Sequence, residues 1–140
     1  MIDRPATAPS PGFGPQIGLL RPAFDRLAEI ARLEEDWDTY DGLPPTRLAV
    51  ASAGQLIIAV AERLGDDVGE AVAPYSVMPF PDGGVQVTWR WPADELQVDV
   101  GPGGSFGYLR IDRDGGQRTA SEAEGIPFPD IIGAIERFLR

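Results

Sequence analysis

Five carboxylates crowd into eight positions at Glu34-Glu35-Asp36-Trp37-Asp38-Thr39-Tyr40-Asp41. Carboxylates at that density could hold a divalent cation. A calcium loop wants oxygen ligands at its first, third and fifth places, Gly at the sixth and Glu at the twelfth. Counted from Asp36, the fifth place is Tyr40, Gly42 falls one place late, and the twelfth is Arg47. The second acidic run starts at Asp112 and has Ala123 at its twelfth place. Neither spacing supports a metal, and none is assigned. The simpler reading is structural: Trp37 and Tyr40 pin the end of a helix to the core. Asp38 or Asp41 then steadies the loop by accepting nearby backbone amides.

The other chemistries fall away by residue type. The chain has no Cys, His, Lys or Asn, and all 12 bases are Arg. That excludes a Cys- or His-ligated zinc site, a thiol nucleophile, a Ser–His–Asp triad, and a lysine Schiff base or P-loop lysine. Paired carboxylates could hydrolyse a glycoside, but 22 acids offer too many pairs for spacing to choose one. No Ser sits in a G-x-S-x-G elbow. Gly101-Pro102-Gly103-Gly104 is a turn and not a phosphate cradle, because Pro removes a donor and no helix follows. No catalytic residue and no cofactor is assigned. The excess of Ala, Gly, Pro and Arg reads as the codon bias of a GC-rich bacterial genome.

With 22 acids against 12 bases, the 140-residue chain carries a formal net charge of −10. Nucleic acid and anionic membranes both need a cationic footprint, so neither is an expected direct partner. The stretch Leu48 to Leu64 is apolar but short, and Ser52, Gln55, Glu62 and Arg63 interrupt it, so it reads as a buried helix. Met1 to Gly14 lacks the apolar run of a signal peptide. A cytoplasmic location is expected.

The length suits one domain. Residues 1–18, rich in Pro and Gly, read as an extended N-terminal arm, and 19–140 as a single α+β domain. A first helix is expected from Pro22 to Trp37, with Phe24, Leu27, Ala28 and Ala31 on one face. A second runs from Thr46 to Leu64, with Leu56, Ile57, Val60 and Leu64 as its stripe and Gly65 as C-cap. After Pro74 the apolar period changes to two. Tyr75–Phe80, Val85–Trp91, Leu96–Val100 and Phe106–Ile111 read as strands, the first pair joined by Pro81-Asp82-Gly83-Gly84. Asp112–Gly125 has no period and reads as a loop. Pro127–Arg140 closes the chain as an amphipathic helix. The predicted fold is an antiparallel meander of three to four strands with helices on one face, in the order α-α-β-β-β-β-α.

Trp37-Asp38-Thr39-Tyr40-Asp41-Gly42-Leu43-Pro44-Pro45, followed by a helix, resembles a Trp-Asp-x-Tyr…Pro segment of small uncharacterised bacterial proteins. Pro81-Asp82-Gly83-Gly84-Val85-Gln86-Val87-Thr88-Trp89 resembles their Pro-Asp-Gly-Gly hairpin leading to Trp. The likeness spans about residues 33–100, with Asp41 standing where Gly is the pattern. It implies a fold and a bacterial origin, and no activity.

What remains is recognition. Trp89, Arg90 and Trp91 are core if the sheet is covered there and a hot spot if it is not, since Trp and Arg dominate interface energetics. Phe106 and Tyr108 carry the same two readings. The candidate contact residues are Asp38, Tyr40, Asp41, Trp89, Arg90 and Trp91. The expected function is non-enzymatic: protein–protein contact of the antitoxin, immunity, inhibitor or accessory-subunit kind. The expected partner is another protein, basic or itself nucleic-acid-binding, and homo-oligomerisation stays open. Two alternatives are an acidic mimic of nucleic acid, of phage or mobile-element type, and a carboxylate-based or metal-dependent enzyme.

Overall fold

A computed structural model describes residues 14–114 and 117–140. The elements are α1 (Gly14–Ile30), α2 (Arg47–Val68), a 3-10 turn at Gly69–Val72, β1 (Ser76–Pro79), β2 (Val85–Arg90), β3 (Glu95–Val100), β4 (Phe106–Asp114), β5 (Gln117–Ile126) and α3 (Phe128–Leu139). The strands form one antiparallel meander in the order β1-β2-β3-β4-β5. This is the expected α+β arrangement with five strands in place of three to four.

Strict alternation sorts the sheet into two faces. Val77, Val85, Val87, Trp89, Leu96, Val98 and Val100 point to the helices and are buried. They meet the α2 stripe of Ala49, Ala53, Leu56, Ile57, Val60 and Leu64, and the α3 face of Ile131, Ile132, Ile135, Phe138 and Leu139. The opposite face carries Gln86, Arg90, Glu95, Gln97 and Asp99. There the Gln86 amide donates to Asp99 at 3.1 Å. By length and composition alone, Arg47–Val72 could cross a membrane; here α2 is the helix against which the sheet and both other helices pack.

Several boundaries differ from the sequence reading. Helix α1 starts by Gly14, so the last part of the expected arm is helical; residues 1–13 lie outside the described part. Pro22 sits inside α1 and not in its first turn, forgoing one backbone bond. The helix also ends at Ile30, seven residues early. Its last turn tightens to three-residue spacing, with Arg32 N donating to Glu29 O and Leu33 N to Ile30 O. Helix α2 runs past Gly65 to a left-handed Gly69, whose amide donates to the Gly65 carbonyl. The expected loop from Asp112 to Gly125 is instead the end of β4 and most of β5. Its described residues past Arg118 are largely exposed on both faces, so no apolar period marks it.

Candidate functional site

The acidic segment folds into a pinned corner. Three non-glycine residues adopt left-handed backbone there: Asp36 at φ 60°, Thr39 at 61° and Asp41 at 62°. Asp tolerates this region, but β-branched Thr39 is an outlier, and a residue held there costs about 1–3 kcal/mol. Side-chain carboxylates offset the strain. Asp38 Oδ1 accepts the amides of Tyr40 at 2.9 Å and Gly42 at 2.8 Å. Asp36 Oδ1 accepts the amide of Asp41 at 2.8 Å. The Tyr40 amide bond is the chief reason the Asp38 carboxyl sits below the ordinary range; partial burial opposes it and the Gly42 amide helps. A Cβ at Gly42 would lie 2.6 Å from Asp38 Oδ1, so a side chain there would push the carboxylate off the amides it holds.

The corner docks on two turns of the sheet. The Leu43 amide donates to Pro81 O at 2.9 Å and the Thr46 amide to Gly83 O at 3.0 Å. The Thr46 hydroxyl donates to Pro102 O at 2.7 Å and accepts the Ala49 amide at 3.0 Å, capping α2. The Trp37–Pro45 and Pro81–Trp89 stretches therefore meet here. The expected packing of Trp37 and Tyr40 on a helix end is corrected. With α1 already ended, Trp37 is half-buried in the loop and its indole donates to Leu43 O at 2.8 Å. Tyr40 is 85% exposed.

The Trp-Arg-Trp triplet divides. Trp89 is fully buried and its indole donates to Val72 O at 2.9 Å; it is core. Trp91 lies one residue beyond the strand and is 50% exposed. Arg90 points to the open face, 3.8 Å from the centre of the Tyr75 ring, and bonds Glu95 at 2.8 Å. Phe106 is buried and tilts against Phe128 at 5.6 Å, and Tyr108 is partly buried against the core. The structure thus brings Asp38, Tyr40 and Asp41 together. It puts Arg90 and Trp91 at the other end of β2, roughly 17 Å away along the strand, and removes Trp89 from any surface.

Among the described residues no three carboxylates converge to hold a metal. Asp82, Asp99 and Glu124 line a cleft of about 250 Å³. Burial raises the Asp99 pKa, the Gln86 hydrogen bond opposes that, and the charges of Asp82 and Glu124 add to it. Asp82 is already committed to the Gly84 amide at 2.7 Å. Sequence reasoning missed Leu43 and Leu48, 54% and 53% exposed beside the corner. The available signal was two Leu outside the apolar stripe of α2. Comparison with protein-family models, with curated proteins and with solved structures finds no match.

Proposed function

We propose that this chain is a non-enzymatic protein-binding module whose contact surface is the corner from Asp36 to Leu48. One observation carries the reading. A segment containing three left-handed non-glycine residues is held by carboxylate-to-amide hydrogen bonds, yet it presents Tyr40, Leu43 and Leu48 to solvent. Strain of this kind collects at binding elements, and a pre-formed loop loses little entropy on docking. Glu34, Glu35, Asp36 and Asp41, all exposed, accompany these apolar groups against one exposed base in residues 34–48, Arg47. An apolar centre with a charged rim is common interface anatomy, and the rim's sign selects a basic protein partner.

Engagement of the acids within the chain favours contact over mimicry of nucleic acid. Glu29, Glu95, Asp112, Asp67 and Glu136 all pair with Arg, whereas phosphates of a duplex are evenly spaced and solvated.

The test uses the tagged chain expressed in its own host at low ionic strength. A basic protein should co-purify in stoichiometric amount, leave as salt rises, and be absent with a Tyr40→Ser, Leu43→Ser variant of unchanged melting temperature. No stoichiometric partner, or equal capture by that variant, overturns the proposal.

A further inference from the structure

We infer that β5 is a self-association edge, on which two copies of this chain pair antiparallel into one continuous ten-stranded sheet. The meander order leaves two edges. At β1, α1 packs alongside and Arg26 Nε donates to Val77 O at 3.1 Å. Among the described residues the ten-residue strand β5 pairs with β4 alone, and residues 118–122 are exposed. Natural edges are usually shortened, covered, charged, or broken by Pro or bulges; this one carries charges of both signs, Arg118 and Glu122. From Arg118 to Glu122 this one has no Pro and a regular register against β4.

The second copy is chosen by charge complementarity. Arg118, Ala120 and Glu122 share the face of Glu95 and Gln97, because their β4 partners Arg113, Ile111 and Leu109 lie on it; Ile111 is buried there, but Arg118, Ala120 and Glu122 beside it are exposed. A two-fold axis perpendicular to the sheet pairs residues of that face with residues of that face. Centred on Ala120, it sets Arg118 opposite Glu122 of the second copy and Glu122 opposite that copy's Arg118. Thr119 then meets Ser121 on the other face, twice. Opposite charges and Thr–Ser pairs are favourable cross-strand neighbours. Shifting the centre to Ser121 would set Arg118 opposite Glu124, but Glu124 lies in the irregular stretch between Ala123 and Ile126, and Glu122 would stand opposite Ala120 and diagonal to the other Glu122, so the Ala120 register is preferred. Within its own chain Arg118 faces Arg113, a like charge whose own carboxylate partner, Glu95, lies 3.7 Å away; a Glu across the edge would give Arg118 a partner of its own. The helices allow the approach. Helix α3 crosses β4, where Phe138 lies 5.3 Å from the Arg110 guanidinium. Three strand spacings separate the two β4 strands, about 14 Å, which exceeds the roughly 10 Å diameter of a helix.

A strand-to-strand contact buries little area, so association is expected only in the tens to hundreds of micromolar. Sedimentation equilibrium over that range should show a dimer that weakens with salt. Arg118→Glu alone sets Glu against Glu and should be monomeric, as should Glu122→Arg. Mixed in equal amounts, these two variants should form a heterodimer, and the double variant R118E/E122R should dimerise by itself. Arg118→Glu also removes the like charge opposite Arg113, so its melting temperature should not fall and loss of the dimer cannot be assigned to unfolding. A parent that stays monomeric across the range, a dimer indifferent to either reversal, or a mixture that fails to restore association overturns the inference.

Discussion

Trp89→Phe tests how the far end of the sheet is built. Trp89 is fully buried, and its indole N–H satisfies the carbonyl of Val72, itself fully buried. Phe keeps a six-membered ring but cannot donate. An unsatisfied buried carbonyl costs about 1–3 kcal/mol. The missing ring atoms amount to one or two buried CH₂ equivalents, at about 0.8 kcal/mol each. Together these give about 2–5 kcal/mol against a total of about 5–15 kcal/mol for a domain. In a chain of this length that lowers the melting temperature by roughly 6–18 °C. Trp89→Ala would add most of a large-to-small penalty of about 3–5 kcal/mol, which risks unfolding the chain and is the poorer probe.

The assay is urea unfolding followed by far-UV circular dichroism, with the midpoint and slope fitted separately. Trp91→Phe is the internal control. Half-exposed beyond the strand, it should shift stability by less than about 1 kcal/mol. If Trp89→Phe matches the parent while Trp91→Phe does not, the assignment of core and surface in the triplet is reversed and the reasoning fails.

Gly42→Ala should lower the melting temperature by several degrees, because its Cβ would press on Asp38 at 2.6 Å; Gly103→Ala, with open space around it, should not. Equal effects would mean that Asp38 does not hold the corner. Thr46→Ala should cost about 1–2 kcal/mol through loss of the α2 cap, with a further contribution from the lost bond to Pro102; Thr46→Ser should recover most of it in the same thermal melt. Asp99 binds its proton more tightly folded than unfolded, because burial raises its pKa. Its protonated form therefore stabilises the fold, a contribution fully present below the ordinary carboxylate range and lost as pH rises through the folded pKa. Asp99→Asn should be more stable than the parent at neutral pH, with the gap closing on acidification; a variant less stable than the parent at neutral pH would contradict this.

Legibility in the sequence followed burial. Helices α2 and α3 and strands β2 and β3 each have one dry face, so the apolar period marks them and their core residues. β5 has no dry face, and its Thr, Ala, Ser and Glu carry no period. The end of α1 was misplaced because Leu33 and Trp37 continue its apolar spacing, while the turn that stops it depends on backbone bonds at Glu29 and Ile30. The corner was half legible. Asp38 as an acceptor of backbone amides follows from its residue type and loop position. That Tyr40 faces water, and that Leu43 and Leu48 join it, depends on docking against turns about 40 and 60 residues downstream.

The anchors of this fold share one feature that bears on function. Thr46 holds the corner through the Pro102 carbonyl, Trp37 through the Leu43 carbonyl, and Trp89 holds the strand end through the Val72 carbonyl. Each is a side chain bonded to backbone, so neither partner lies among the exposed side chains of the corresponding surface. Tyr40 and Trp91 can therefore change without releasing the bonds that place them. Sites more than about 10 Å apart with no shared partner add independently, and the two ends of β2 meet that condition. The corner and the Arg90–Trp91 end are thus separable surfaces on one core, whereas the β5 edge is linked to the second of them, because Glu95 bonds Arg90 and lies 3.7 Å from Arg113, the cross-strand neighbour of Arg118.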